Sequence, residues 1–375
     1  MTEKEILSTL ALTRINYFQL AGLRLLYDTV GSATAIVENY NDVPDIIPDA
    51  SPRLLEALRD IPIVMPRAEA EYAYCQRYGV QILTLNDDRY PRRLRECDDA
   101  PLALFYNGTA DLNQQRVINI VGTRHITVYG QDLVRRFVEE LKPLCPQMLI
   151  VSGLAYGVDI CAHRNALLQG YETVGVLAHG LDDLYPPRHR ETASQMVRQG
   201  GLLTEHFTQT NADKLNFVRR NRIVAGMSDA AVIVESAAKG GSLITARLSR
   251  DYNRDTFAFP GPVGAPYSEG CNRLIRDHQA TLITSAEDFV TAMGWQDDAA
   301  LSTARQQGIE RQLFPQLNEN ESLVVNALSR NNDQQINMLA VVTNLSVGTL
   351  TAVLFELELK GVVKTLAGGI YHLLR

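Results

Sequence analysis

The chain has 375 residues, of which 46% are hydrophobic and 21% charged, with a formal net charge of -7. That length calls for two or three domains, and the composition is that of a soluble globular protein able to bury a sizeable core. The negative balance argues against non-specific coating of nucleic acid but leaves room for a local basic groove.

Residues 3–40 place Ile6, Leu7 and Leu10, then Leu20, Leu23 and Leu26, at helical spacing, interrupted by Gly22 and Gly31. Short helices meeting at tight turns are expected. Pro44, Pro48 and Pro52 end this stretch, and another helix is predicted from Pro52 to Arg59. The pattern from Ala68 to Tyr78 is again helical. Val80 to Leu85 and Leu102 to Tyr106 read as strands, separated by turn chemistry at Asp88-Arg89-Tyr90-Pro91.

From Arg116 the grammar changes. Continuous apolar runs at 117–121, 148–151, 173–177, 202–204, 231–234 and 256–259 are each followed by a loop, most of them rich in small residues. Helical patterns between them complete the alternation that predicts a doubly wound, mostly parallel sheet. In such a sheet ligands bind beyond the carboxyl ends of the strands, where these loops fall.

Residues 296–318 are polar and Gln-rich, a linker composition. Beyond them, helical patterns at 321–328, 336–343 and 346–360 precede two short strands around Gly368-Gly369, the order of a winged helix. Its recognition helix carries Glu356 and Glu358 and few cations, which speaks against major-groove reading and equally fits partner docking. The expected organisation is an N-terminal helical domain (1–67), an α/β core with its lead-in (68–295), the linker (296–318) and the winged helix (319–375). Cys75, Cys97, Cys145, Cys161 and Cys271 are scattered, with no zinc spacing, so a reducing compartment and no metal are expected. With no signal-peptide pattern and no membrane-length apolar run, a cytoplasmic protein is expected.

The chemistry-bearing stretches are phosphate-binding devices. Gly122-Thr123-Arg124 ends the first parallel strand. It reads as a phosphate clamp or as a tight turn with an exposed arginine. Ser152-Gly153-Leu154-Ala155-Tyr156-Gly157 could surround an anion with backbone N–H groups, or let a helix pack closely on the sheet. Asp159 and His163, four apart on one helical face, could pair, with structural capping or an ordinary surface pair favoured over catalysis. Tyr185-Pro186-Pro187-Arg188-His189-Arg190 is a rigid turn with an aromatic for stacking and Arg188 for phosphate, or a turn with solvated charges. Arg219-Arg220-Asn221-Arg222 is the densest basic cluster; were a helix to begin at Asn221, its positive end would add to these cations. Lys239-Gly240-Gly241-Ser242 opens another helix as an anion-binding turn. There is no Gly-x-Gly-x-x-Gly, no Walker loop, no catalytic triad order and no metal-ligand set, so neither a dinucleotide nor another cofactor is expected.

Taken together, Val121 to Arg124, Ser152 to Asp159 with Ala162-His163, Gly180 to Asp182 with Tyr185-Pro186, Phe217 with Arg220-Asn221-Arg222-Ile223, Gly241 to Ala246, Pro260-Gly261 and Gly270 to Ile275 carry a resemblance. The chain resembles the DNA processing protein A (Smf) family, tightly over residues 89–286. The resemblance implies a Rossmann-like core that binds single-stranded DNA, dimerises and helps load RecA recombinase, with a sterile-alpha-motif-like N-terminus. It implies no enzymatic activity. Carried over, Arg124 is the phosphate-contacting arginine, Arg188, Asn221 and Arg222 match or neighbour the DNA pocket, and Gly241 and Ser242 share its edge. The single-strand site is accordingly read as Gly122, Thr123, Arg124, Ser152, Gly153, Arg188, Phe217, Arg220, Asn221, Arg222, Gly241 and Ser242. Val218 stands where the family's Phe-Pro-x-Arg-Asn-Arg motif has proline. Two other readings are a nucleoside-phosphate hydrolase on a similar core and a duplex-binding regulator working through the winged helix.

Overall fold

The computed structural model describes residues 2–17, 19–47, 50–295, 317–332, 334–360, 362–366 and 370–373. It falls into two compact units, residues 1–299 and 300–375. The expected linker lies, up to residue 316, outside the described residues, as does the Gly368-Gly369 turn.

The first unit opens with helices α1 (Glu3–Arg14), α2 (Leu20–Val30), α3 (Ala33–Glu38), α4 (Val43–Ile46), α5 (Pro52–Leu58) and α6 (Ile61–Tyr78). Side chains of Thr2, Ser32 and Ser51 accept from the first-turn N–H groups of α1, α3 and α5, satisfying donors the helix cannot. Helix α6 runs through residue 67 without a break and leads directly to the sheet.

After α6 come β1 (Gln81–Thr84), α7 (Arg92–Arg95), β2 (Ala103–Gly108), β3 (Val117–Val121), α8 (Val128–Leu144), β4 (Leu149–Ser152), α9 (Val158–Leu168), β5 (Glu172–Val176), α10 (Arg190–Arg198) and β6 (Gly200–Thr204). Then follow α11 (Lys214–Gly226), β7 (Ala230–Ile233), α12 (Ser242–Asp251), β8 (Asp255–Ala258), α13 (Glu269–Arg276), β9 (Thr281–Leu282) and α14 (Ala286–Ala292). The sheet order is β1-β2-β6-β5-β4-β3-β7-β8-β9. Pairing is parallel from β6 to β9 and antiparallel at β1–β2 and β2–β6, so the expected mostly parallel, doubly wound sheet is present.

Apolar runs are needed because both sheet faces are covered. Val117 and Val121 of β3 pack on the side of α11 and the N-terminal helices, and Ile118 and Ile120 on the side of α8, α9 and α14. From β3 the chain winds one way through β4, β5 and β6, and the other way through β7, β8 and β9. The carboxyl ends of β3 and β7 are therefore the topological switch point, where the connections diverge and leave a crevice.

The second unit contains α15 (Glu319–Arg330), β10 (Gln334–Gln335), α16 (Ile336–Thr343), α17 (Val347–Leu359), β11 (Val363–Leu366) and β12 (Ile370–Leu373), with sheet order β10-β12-β11. This is the winged helix expected from sequence. Asn318 and Glu321 form a reciprocal capping box at the start of α15. No single described helix is long and apolar enough to cross a membrane.

Candidate functional site

A cavity of about 550 Å3 opens at the switch point. Its walls are the turn after β3, the loop after β4, the segment joining β7 to α12, and one side of α11.

The first two loops clasp each other. Gly157 has φ 80°, and a Cβ there would stand 2.1 Å from the Thr123 carbonyl oxygen. That same oxygen accepts from the Val158 N–H at 3.1 Å. Glu235, just beyond β7, secures the other side of the turn. Its carbonyl accepts from Thr123 N–H at 2.6 Å, and its carboxylate from the N–H and hydroxyl of Thr127 at 2.9 and 2.7 Å. Arg124 thus projects from a backbone held at both ends. Its side chain is exposed, its guanidinium lies 4.8 Å over the Phe217 ring, and it makes no hydrogen bond or ion pair with any described residue. Tyr185 meets Phe217 edge-on at 5.8 Å, extending the aromatic rim.

Helix α11 begins at Lys214, where the Asp213 side chain accepts from Asn216 N–H. The basic cluster therefore lies inside the helix, not at its start near Asn221. The physical reason is the Asp213 cap, which starts the helix at Lys214; Val218, unlike proline, is compatible with a helix interior. Lys214, Phe217 and Asn221 recur at helical spacing and all face the cavity.

Arg220 is buried. Its guanidinium donates to the Gly153 carbonyl at 2.5 Å and to the Val176 carbonyl, joining the ends of β4 and β5 to α11. A Cβ on Gly153 would lie 2.3 Å from that guanidinium, so glycine here is a packing requirement. Burial pulls Arg220 down to about 10, which leaves it cationic at neutral pH. Burial pushes the Asp159 carboxyl up, and the Arg220 cation beside it opposes the shift.

Of the expected site residues, Gly122, Thr123, Arg124, Gly153, Phe217, Arg220, Asn221, Gly241 and Ser242 line the cavity. Gly241 faces open space, and Ser242 starts α12, whose N-terminal turn adds a partial positive charge to the wall. Three residues lie elsewhere. Ser152 is fully buried beneath the cavity, donating to the Ile120 carbonyl at 2.7 Å. Arg188 is exposed on the turn at Pro187–His189, off the cavity wall. Arg222 points away from it, ion-paired with Glu205 and donating to the Asp99 carbonyl at 2.5 Å.

Of the two readings of Asp159 and His163, the pair does not form, and Asp159 takes a local structural role. Asp159 accepts from Ala155 N–H at 3.3 Å, and His163 Nδ1 lies 2.7 Å from Thr173 Oγ1. Lys214, exposed and without a hydrogen bond or ion pair to any described residue, is the cavity cation that sequence reading missed. The signal was present: Asp213 as a cap and Lys214, Phe217 and Asn221 at positions i, i+3 and i+7. Among the described residues no cluster of His, Cys, Asp or Glu could hold a metal ion.

These features define a class: a doubly wound α/β protein with a cavity at its switch point that two exposed cations line, suited to an anionic chain. The chain belongs to the DNA processing protein A family: residues 81–294 match the family described as DNA recombination-mediator protein A, and residues 310–369 the DprA winged helix domain. It is 32% identical to protein Smf of Escherichia coli over 320 residues, 83% of this chain and 82% of that one. The crystal structure of DNA processing protein A from Streptococcus pneumoniae superposes with a TM-score of 0.63 at 30% identity, covering 78% of this chain and 98% of that one. DNA processing protein A from Helicobacter pylori superposes with a TM-score of 0.51 at 28% identity, covering 57% of this chain and 95% of that one; its structure was described for its mode of binding single-stranded DNA.

Proposed function

We propose that this chain binds single-stranded DNA in the switch-point cavity and, as a cytoplasmic homodimer, helps load RecA recombinase onto it during natural transformation or recombination. The observation that carries the DNA reading is the pair of exposed cations, Arg124 and Lys214, that line the cavity without a hydrogen bond or ion pair to any described residue; Asp159, the acid that acts on Arg124, is buried and its carboxyl is pushed up by that burial. An unpaired cation beside an aromatic face suits a phosphate with its base stacked alongside. Asn221, whose Oδ1 accepts from Arg220 Nε at 3.3 Å, lines the cavity and would offer its amide N–H groups to a base edge, and Gly241 leaves room for the backbone to approach. The RecA and homodimer parts rest on family membership. The winged helix supports no duplex reading: its recognition helix, α17, contains no Lys or Arg, and Glu358 is occupied with Thr365.

The test is fluorescence anisotropy with an oligothymidylate and a duplex of equal length across a salt series. Single-strand binding is expected to dominate, with log affinity falling linearly in log salt. Arg124→Ala is expected to weaken it about tenfold and flatten the slope by about 0.7. An unchanged affinity and slope would remove the cavity assignment. Turnover of nucleoside monophosphates by the purified chain would select the hydrolase reading instead.

A further inference from the structure

A second cavity, of about 920 Å3, lies across α11 from the first, between that helix, the residues after β6 and the turn joining α1 to α2. Lys214, Phe217 and Asn221 line the first cavity, and Asn216, Arg219 and Arg222 the second. The two are separated by one helix, about 10–12 Å across with its side chains. The ridge between them carries Leu215 and Val218, apolar side chains 55% and 42% exposed.

The second cavity has the components of single-strand recognition. Three arginines line it (Arg14, Arg219 and Arg222) against two carboxylates (Asp99 and Glu205). Both carboxylates are already engaged, Glu205 by Arg222 and Asp99 by the Tyr252 hydroxyl at 2.7 Å. Arg14 is exposed, and its guanidinium lies 5.3 Å from the centre of the Phe207 ring. That ring also carries Arg67, 5.1 Å away. Arg14 makes no hydrogen bond or ion pair with any described residue; the Arg67 cation and the Glu71 carboxylate both act on it, and Glu71 is already ion-paired with Arg67 at 2.9 Å. His206 lines the wall, its Nε2 buried with no hydrogen-bond partner among the described residues. The half-buried Tyr17, on the turn joining α1 to α2, also lines the cavity. An exposed cation and the Tyr17 and His206 rings match a phosphate and base faces.

We propose that the second cavity continues the nucleic-acid path. A single strand seated in the first cavity crosses α11 over Val218 and Leu215 and places further nucleotides against Arg219, Arg14 and His206. The N-terminal helices thereby become part of the binding surface. The inference rests on the reading of the first cavity as a single-strand site.

The experiment compares two oligothymidylates by anisotropy across salt, one just long enough to fill the first cavity and one several-fold longer. The Arg14→Ala, Arg219→Ala double variant is expected to bind the long oligonucleotide about tenfold more weakly, with the salt slope reduced by about 0.7 per arginine removed. Binding of the short one should be unchanged. The Arg14→Lys, Arg219→Lys variant should retain most of the long-strand affinity, which separates lost charge from lost folding. Equal binding of the long strand by the alanine variant and the wild type would overturn the continuation, as would an equal loss at both lengths. Arg124→Ala weakens both lengths if the first cavity holds DNA; if it weakens neither, that reading has failed, and the two failures are told apart.

Discussion

Arg220 divides a binding role from a supporting one, and Arg220→Met separates them. Methionine preserves the length and apolar character of the side-chain stem and removes the guanidinium. The Gly153 and Val176 carbonyls then lose a charged donor, and the buried Asp159 loses its cation. An unsatisfied buried carbonyl costs about 1–3 kcal/mol, and breaking a buried charge pair about 3–5 kcal/mol. These overlap because Asp159, already pushed up by burial, can take a proton and shed its charge. A net loss of about 4 kcal/mol is therefore expected, a large part of the 5–15 kcal/mol typical of a folded protein. Trp295, the only tryptophan, packs 5.5 Å from Phe289 within the first unit, so its fluorescence in a urea titration reads the loss. The salt slope of DNA binding should stay at its wild-type value, because the guanidinium of Arg220, although at the cavity wall, is buried and already donates to two carbonyls. Unchanged urea stability with a slope reduced by about 0.7 would make Arg220 a phosphate ligand and refute the supporting role.

Glu235→Ala removes the acceptor for both Thr127 donors. About 2 kcal/mol of stability should be lost, and single-strand affinity should fall because the Arg124 turn is no longer anchored; wild-type affinity in the folded variant would show the clamp to be dispensable. His163 is pulled down to about 3, first by burial and then by the Arg220 and His189 charges. Its folded-state value lies below the unfolded value of about 6.5, so His163 leaves stability unaffected at higher pH. As pH falls from about 6.5 towards 3, the unfolded chain binds a proton that the folded chain refuses, and stability drops by up to about 1.4 kcal/mol per pH unit. His163→Gln should flatten that part of the urea-midpoint profile relative to wild type, whereas parallel profiles would show that His163 is not held neutral.

What was legible from sequence follows from what sequence encodes directly. A parallel strand covered on both faces must be continuously apolar, so Val117 to Val121 and its counterparts announced themselves. The glycine turns after them fixed where the ligand edge lies, because helices packed on the sheet leave only that edge open. Side-chain direction was harder. Ser152 sits beside Gly153 in the motif, yet it is the last residue of β4 and points into the protein to the Ile120 carbonyl. His163 looked like a partner for Asp159 by spacing alone, but Thr173 of the neighbouring strand offers it a buried hydroxyl that no local pattern reveals. Lys214 escaped notice because the helix was expected to start later, whereas the Asp213 cap starts it at Lys214.

The basic run at 219–222 makes the general point. Successive residues on an α-helix are turned by about 100°, so adjacent residues cannot all serve one ligand. Arg219 and Arg222 fall to the side of the second cavity, Arg220 turns inward to the strand ends, and Asn221 alone of the four meets the first cavity without being buried. The unburied cations of that cavity come from outside the run, Arg124 from the turn after β3 and Lys214 from the first turn of α11. Charge that is dense along the chain is thus dispersed in space, while the working pair lies ninety residues apart by number, 214 against 124. This dispersal lets one helix form a wall of both cavities, and it is the geometric reason a strand bound on one side of α11 would find a further cation on the other.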